Sequence, residues 1–89
     1  MVASMFTAAS DALAAAVAEL RMRAGMTQRQ LAEAVGREQS FIGRIETGQR
    51  RVDLVEWITI CRACGVDPET EIAAQVKKIV GLVPRRPKK

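Results

Sequence analysis

The chain has 89 residues, 48% of them hydrophobic but only 3% aromatic, with 14 Lys and Arg against 10 Asp and Glu. That length holds one small domain, whose thin core makes every large apolar side chain consequential. No apolar run approaches the ~18 residues of a membrane span, and the opening MVASMFTAAS lacks the basic start and long apolar stretch of a secretory signal. No membrane association and a cytoplasmic location are therefore expected.

Charge placement says more than the net charge of +4. Asp11 and Glu19 precede the first base. Arg21 to Arg51 holds seven arginines against Glu33, Glu38 and Glu46, and Val52 to Val83 holds five acids and three bases. The final PRRPKK is basic again. A basic centre between acidic flanks is what a polyanionic partner attracts; charge alone leaves a solvated arginine-rich surface equally open. Enzymatic chemistry is not expected, because there is no histidine or tyrosine and the three serines have no base beside them. No phosphate-cradling glycine loop follows a strand, and no cofactor is expected. Cys61 and Cys64 form a lone C-x-x-C with no further ligands for a zinc ion. They read as small core residues in a reducing compartment, with a zinc shared across a dimer as the alternative.

Taken in chain order, the first helix is expected from about Thr7–Asp11 to Ala24, with Leu13, Val17, Leu20 and, as an extension, Phe6 on one face. Gly25 closes it. Thr27 with Gln30 forms a capping box that opens a helix over 28–35, with Leu31, Ala32 and Val35 inward. Gly36 ends that helix, and only GRE (36–38) separates it from a third helix over 39–47, with Ile42 and Ile45 inward. A second capping box, Asp53 with Glu56, opens a fourth helix over 54–64. Its expected inward face is Leu54, Ile58 and Cys61, flanked by Trp57 and Cys64. Asp67 before Pro68 opens a fifth helix that runs to about Val80. The fold class is all-α with five helices, without strand alternation or an internal repeat. The domain is expected over 1–81, followed by a basic, disordered tail over 82–89.

The three-residue link forces the third helix to leave the second at a steep angle, the geometry of a helix-turn-helix. The third helix then presents Gln39, Ser40, Gly43 and Arg44 outward. An amide, a hydroxyl, a bare backbone and a guanidinium suit the edges of DNA bases.

The segments LRMRAGMTQRQLAEAVG, QSFIGRIETG and CRACGVDPETEI fix apolar, glycine and polar positions together. Between Leu20 and Ile72 the chain resembles the lambda-repressor-like, Cro-like helix-turn-helix family, of the xenobiotic-response-element type, and in particular its short single-domain bacterial regulators. The resemblance implies a five-helix DNA-binding domain. It implies that Gln28 binds phosphate and braces the recognition helix, with Arg29 beside it in the contact set. Gln39 and Ser40 match the first base-contacting positions and Arg44 a later one. Arg50 and Arg51 match phosphate contacts after that helix, and Arg21 with Glu46 matches an ion pair tying the first helix to the third.

Two positions depart from the family pattern. Glu38 stands where serine or threonine usually caps the third helix, and its charge would repel a nearby phosphate. Gly43 replaces a contacting side chain; either backbone approaches DNA closely there, or the glycine is fortuitous. Phe41, placed in the contact set, either packs on a neighbouring helix edge or touches a thymine methyl. On the fifth helix Ile72, Val76, Ile79 and Val80 share one side, with Lys77 and Lys78 turned away. Ile72 is expected to cap the core, leaving Val76, Ile79 and Val80 as a homodimer surface; the segment around Met5 and Phe6 is the alternative seam. The function expected is a sequence-specific transcriptional regulator, a repressor on a palindromic operator in double-stranded DNA. The alternative is an antitoxin that autoregulates through the same motif and holds a toxin elsewhere.

Overall fold

The computed structural model describes residues 3–83 and 85, with side chains from residue 8 onward. Its elements are α1 (Ala3–Arg23), α2 (Gln28–Val35), α3 (Gln39–Glu46), α4 (Leu54–Ala63) and α5 (Pro68–Ile79), then a 3-10 turn over Val80–Leu82. No strand occurs among the described residues.

Local chemistry sets these boundaries. Thr27 accepts from the Gln30 N–H while the Gln30 side chain accepts from the Thr27 N–H, and Asp53 and Glu56 repeat the arrangement at α4. Asp67 accepts from the Thr70 N–H ahead of Pro68. Each such cap satisfies donors that a helix start leaves open and contributes about 1 kcal/mol. Thr47 and Cys64 serve as C-caps rather than as last helical residues. The turn between α2 and α3 depends on Gly36, which takes φ 75°, a conformation costly for residues with a Cβ. Arg37 N–H then donates back to the Ala32 carbonyl at 2.8 Å, locking the exit from α2.

α1 begins earlier than its apolar pattern indicates. Four residues or more precede the expected start, and the reason is composition: the segment is alanine-rich, and alanine is the best helix former. The Met5 and Phe6 seam falls on side chains outside those described.

The core joins Ala16, Val17 and Leu20 of α1 to Leu31 and Ala32 of α2, Phe41, Ile42 and Ile45 of α3, and Trp57, Ile60 and Cys61 of α4. Val17, Leu31, Ile42 and Cys61 are fully buried. Truncating one such leucine or isoleucine to alanine costs about 2–5 kcal/mol. α4 is rotated from the expected face. Trp57, Ile60 and Cys61 point inward, Ile58 is half-buried, and Leu54 is exposed. The large indole takes the interior, and its Nε1–H donates to the Pro68 carbonyl at 3.3 Å, tying α4 to the start of α5.

α5 packs on α1 and α4, and the 3-10 turn folds back on α1. Helical structure therefore continues past Gly81 through Leu82, because the turn has α1 to rest on. The rest of the expected tail, residues 84 and 86–89, lies outside the described residues. Ile72 packs partly against the core as expected. The buried position on α5, however, is Gln75, whose Oε1 has no hydrogen-bond partner among the described residues.

Candidate nucleic-acid interface

α3 is held on two sides. On one, Arg21 of α1 meets Glu46 at the end of α3 through Nε at 2.7 Å and through a second guanidinium nitrogen at 3.1 Å. The side chains are only 17% and 7% exposed, and Arg21 also donates to the Met26 carbonyl at 2.9 Å. Gln28, the first residue of α2, donates from Nε2 to Glu46 at 2.9 Å. Its own Oε1 accepts from Gln39 Nε2 at 2.9 Å. A continuous hydrogen-bonded line thus runs from α1 through the end of α3 and the start of α2 to the first residue of α3.

On the other side, Phe41 is buried in the core. The Arg37 guanidinium lies 3.9 Å from its ring centroid and that of Arg50 4.8 Å. Arg50 grips Glu56 with two bonds of 2.8 and 2.7 Å. Arg37 reaches the same carboxylate at 4.0 Å. The bonds from Arg50, and then the one from the Asp53 N–H, hold the Glu56 carboxyl below the usual carboxylate range against the opposing effect of burial.

What remains outward on α3 is Gln39, Ser40 and Arg44, all exposed, with Gly43 half-buried between them. Arg44 has no ion-pair partner among the described residues. Arg37, Ser40 and Arg44 line one open concavity with Gly36, Glu38 and the edge of Phe41. Glu38 is the N-cap of α3 and makes no side-chain cap bond.

Comparison with known proteins decides what this arrangement is. A family model described as a helix-turn-helix domain matches residues 12–75. The chain belongs to the lambda-repressor-like, Cro-like helix-turn-helix family. Among solved structures it is similar to an XRE-family-like protein from Pseudomonas syringae pv. tomato, at 36% identity over 91% of this chain and 94% of that one, with a TM-score of 0.71. It is also similar to the restriction-modification controller protein C.AhdI from Aeromonas hydrophila, at 31% identity over 73% of this chain and 94% of that one, TM-score 0.67. A third likeness is to the clp gene regulator ClgR from C. glutamicum, at 26% identity over 79% of this chain and 91% of that one, TM-score 0.69. No curated protein sequence matches. As a member of this family the protein is a DNA-binding transcriptional regulator.

Within that family setting the expected contact residues differ in how free they are. Phe41 takes the packing alternative: it is 6% exposed and roofed by two guanidinium groups. Arg50, expected on a phosphate, is engaged within the protein: its fork is on Glu56 and it donates to the Arg51 carbonyl as well. Arg29 and Arg51 are exposed and carry no ion pair among the described residues. Of the other arginines in the basic centre, Arg21 and Arg23 are paired with Glu46 and Glu71. Sequence reading missed Arg37 and the second role of Glu56. The four-residue interval from Arg37 to Phe41 was the available signal.

No helix among the described residues is long and apolar enough to cross a membrane. No group of three metal-ligating side chains is found among them. Cys61 is fully buried, and burial pushes its thiol up to about 11. Burial raises the Cys64 thiol as well. Cys61, held that high, offers no thiolate near neutral pH. Val76 and Val80 are 52% and 64% exposed, Ile79 is half-buried, and Leu82 and Val83 add further exposed apolar surface.

Proposed function

We propose that the protein is a repressor that binds a palindromic operator as a homodimer and reads bases with Gln39, Ser40 and Arg44. One observation carries this reading: the three polar side chains lie exposed on α3 while every apolar side chain of that helix is buried. Glutamine pairs bidentately with adenine and arginine with guanine. Gln39 enters such a contact with its amide already held by Gln28, which lowers the entropy lost on binding. Arg29, Arg51 and the remaining N–H of the Gln28 amide serve the phosphates. A Cβ at Gly43 would meet only Gln28 Oε1, at an ordinary 3.6 Å, so the protein itself does not demand glycine there. Close approach of DNA backbone to α3 gives the glycine a reason.

The exposed Val76 and Val80, continuous with Ile79, supply a two-fold contact between copies. Such a dimer sets two recognition helices about 34 Å apart on one face of DNA. Occupancy of a promoter by so small a dimer represses without any further surface. The test is selection of binding sites from random duplexes, followed by a reporter with the recovered site across its promoter. A palindrome with half-sites one helical turn apart, and loss of reporter output, are expected. Recovery of a single non-repeated site overturns the dimer, and raised output overturns repression.

A further inference from the structure

We propose that Arg37 is a DNA phosphate contact, held ready for that task by stacking on Phe41. The proposal rests on the DNA-binding reading above and adds a residue and a positioning device to it.

Arg37 is fixed at three points. Its N–H is bonded to the Ala32 carbonyl at 2.8 Å, pinning its backbone in the turn. Its guanidinium lies 3.9 Å from the Phe41 centroid. Its terminal nitrogen is 4.0 Å from Glu56, beyond hydrogen-bond reach of a carboxylate already engaged by two short bonds from Arg50 and one from the Asp53 N–H. Glu56 therefore orients Arg37 without consuming its donors. The side chain stays 48% exposed, and a stacked guanidinium keeps its fork of N–H groups available in the plane of the stack. Arg50 completes the device. It occupies Glu56 and lies near the ring, 4.8 Å from the centroid.

The concavity beside α3 is shared by Arg37, Ser40 and Arg44. Arg37 and Arg44, two guanidinium groups with no short ion pair, make this concavity cationic, and the fork of Arg37 suits a phosphate diester with two parallel N–H groups. Glu38 lines the same concavity and opposes an anion, but two cations against one carboxylate leave it positive. Because Ser40 and Arg44 face bases, Arg37 one step outside them meets the strand that borders the groove. Phe41 is then a positioning residue.

The test uses the full chain, the operator recovered by selection, and an unrelated duplex, with affinities measured from about 50 to 200 mM salt. Arg37→Ala should weaken both duplexes alike and flatten the slope of log affinity against log salt by about 0.9. Arg37→Lys keeps the charge and should keep the slope, yet lose about two- to fivefold in affinity with the stack. Phe41→Leu should cause a similar loss beside Arg37 and none beside Ala at position 37, a non-additivity that a purely structural role would not produce. If Phe41→Leu fails to fold, the exposed Arg37 variants still decide. An unchanged slope in Arg37→Ala, while Arg51→Ala flattens it, overturns the proposal and leaves DNA binding standing. Failure of the unaltered protein to bind any duplex overturns both.

Discussion

α3 and α5 divide their residues in opposite ways. α3 buries Phe41, Ile42 and Ile45 and shows solvent only polar groups and a half-buried glycine. α5 buries Gln75 and shows solvent Val76, and Val80 at the start of the following 3-10 turn continues that exposed apolar face. An apolar side chain gains about 25 cal/mol for each Å² removed from water, so the partition on α5 is unfavourable for an isolated molecule. The difference teaches what each helix addresses: polar groups on a tightly held helix suit a polar, charged ligand, and apolar groups on a loosely covered one suit another protein surface.

The sharpest way to break the comparison is to charge the outer face of α5. Val76→Glu with Val80→Glu alters four valines across a two-fold contact. At about 1 kcal/mol for each half-exposed valine, the loss of about 4 kcal/mol is roughly a thousandfold in dimerisation constant. Analytical ultracentrifugation should show monomer only. A dimer of unaltered strength would remove the partner-facing reading of α5.

Next comes the inner bracing of α3. Glu46→Ala leaves the partly buried Arg21 uncompensated and should cost about 3 kcal/mol, whereas Glu38→Ala, which removes no bond, should cost under about 0.5 kcal/mol. Thermal melts should separate the two by at least ~10 °C in a domain this small. Equal melting temperatures would show that α3 is not braced through this pair.

The outer face of α3 is tested by Arg44→Ala, which should lose about 2 kcal/mol of discrimination at one base pair per half-site. Competition binding against single-base variants of the operator reads it directly; an unchanged base preference would move recognition elsewhere.

A smaller effect of opposite sign is expected inside α5. Gln75→Met removes a buried acceptor that has no partner and should stabilise the fold by about 1 kcal/mol, visible as a rise of ~4–8 °C. A fall in melting temperature would mean that the amide is satisfied in solution.

The smallest effect concerns acid. Glu56 has its carboxyl lowered from the ordinary 4.5, so its pairing adds stability that is fully present above that pH and is lost as pH falls through the depressed folded value. Glu56→Gln should be less stable than the unaltered chain near neutrality, and the two should converge in the acid range. A constant gap at all pH values would show that the charge on Glu56 is not what matters.

Much of this was readable in the sequence because it rests on short-range chemistry. The caps at Thr27, Asp53 and Asp67 and the turn glycine at position 36 involve neighbours within about four residues, and all lie where the sequence places them. The face of α4 was not readable. LVEWITICRA is so rich in apolar residues that Leu54–Ile58–Cys61 and Trp57–Ile60–Cys61 are equally good stripes. Only packing of the large indole chooses between them. Nor could the sequence separate free arginines from occupied ones. Arg50 is committed by a glutamate that also caps the next helix, and no count of charges reveals which of two adjacent arginines a carboxylate will take.

The line from Arg21 to Gln39 also has a direction. An amide can turn end for end and exchange its oxygen for its nitrogen, but an ionised carboxylate only accepts. Glu46 therefore compels Gln28 to present nitrogen to it and oxygen to Gln39, and Gln39 in turn must give up one N–H. The carboxylate at the inner end works like a diode at the end of a wire, fixing the sense of two amides beyond it. Glu46→Gln would preserve the shape but set an amide N–H against one of the two Arg21 donors, losing a bond there while allowing the two glutamines beyond it to reverse. The outward amide of Gln39 would then present donor and acceptor in either order, and whatever it reads would be read in two registers instead of one.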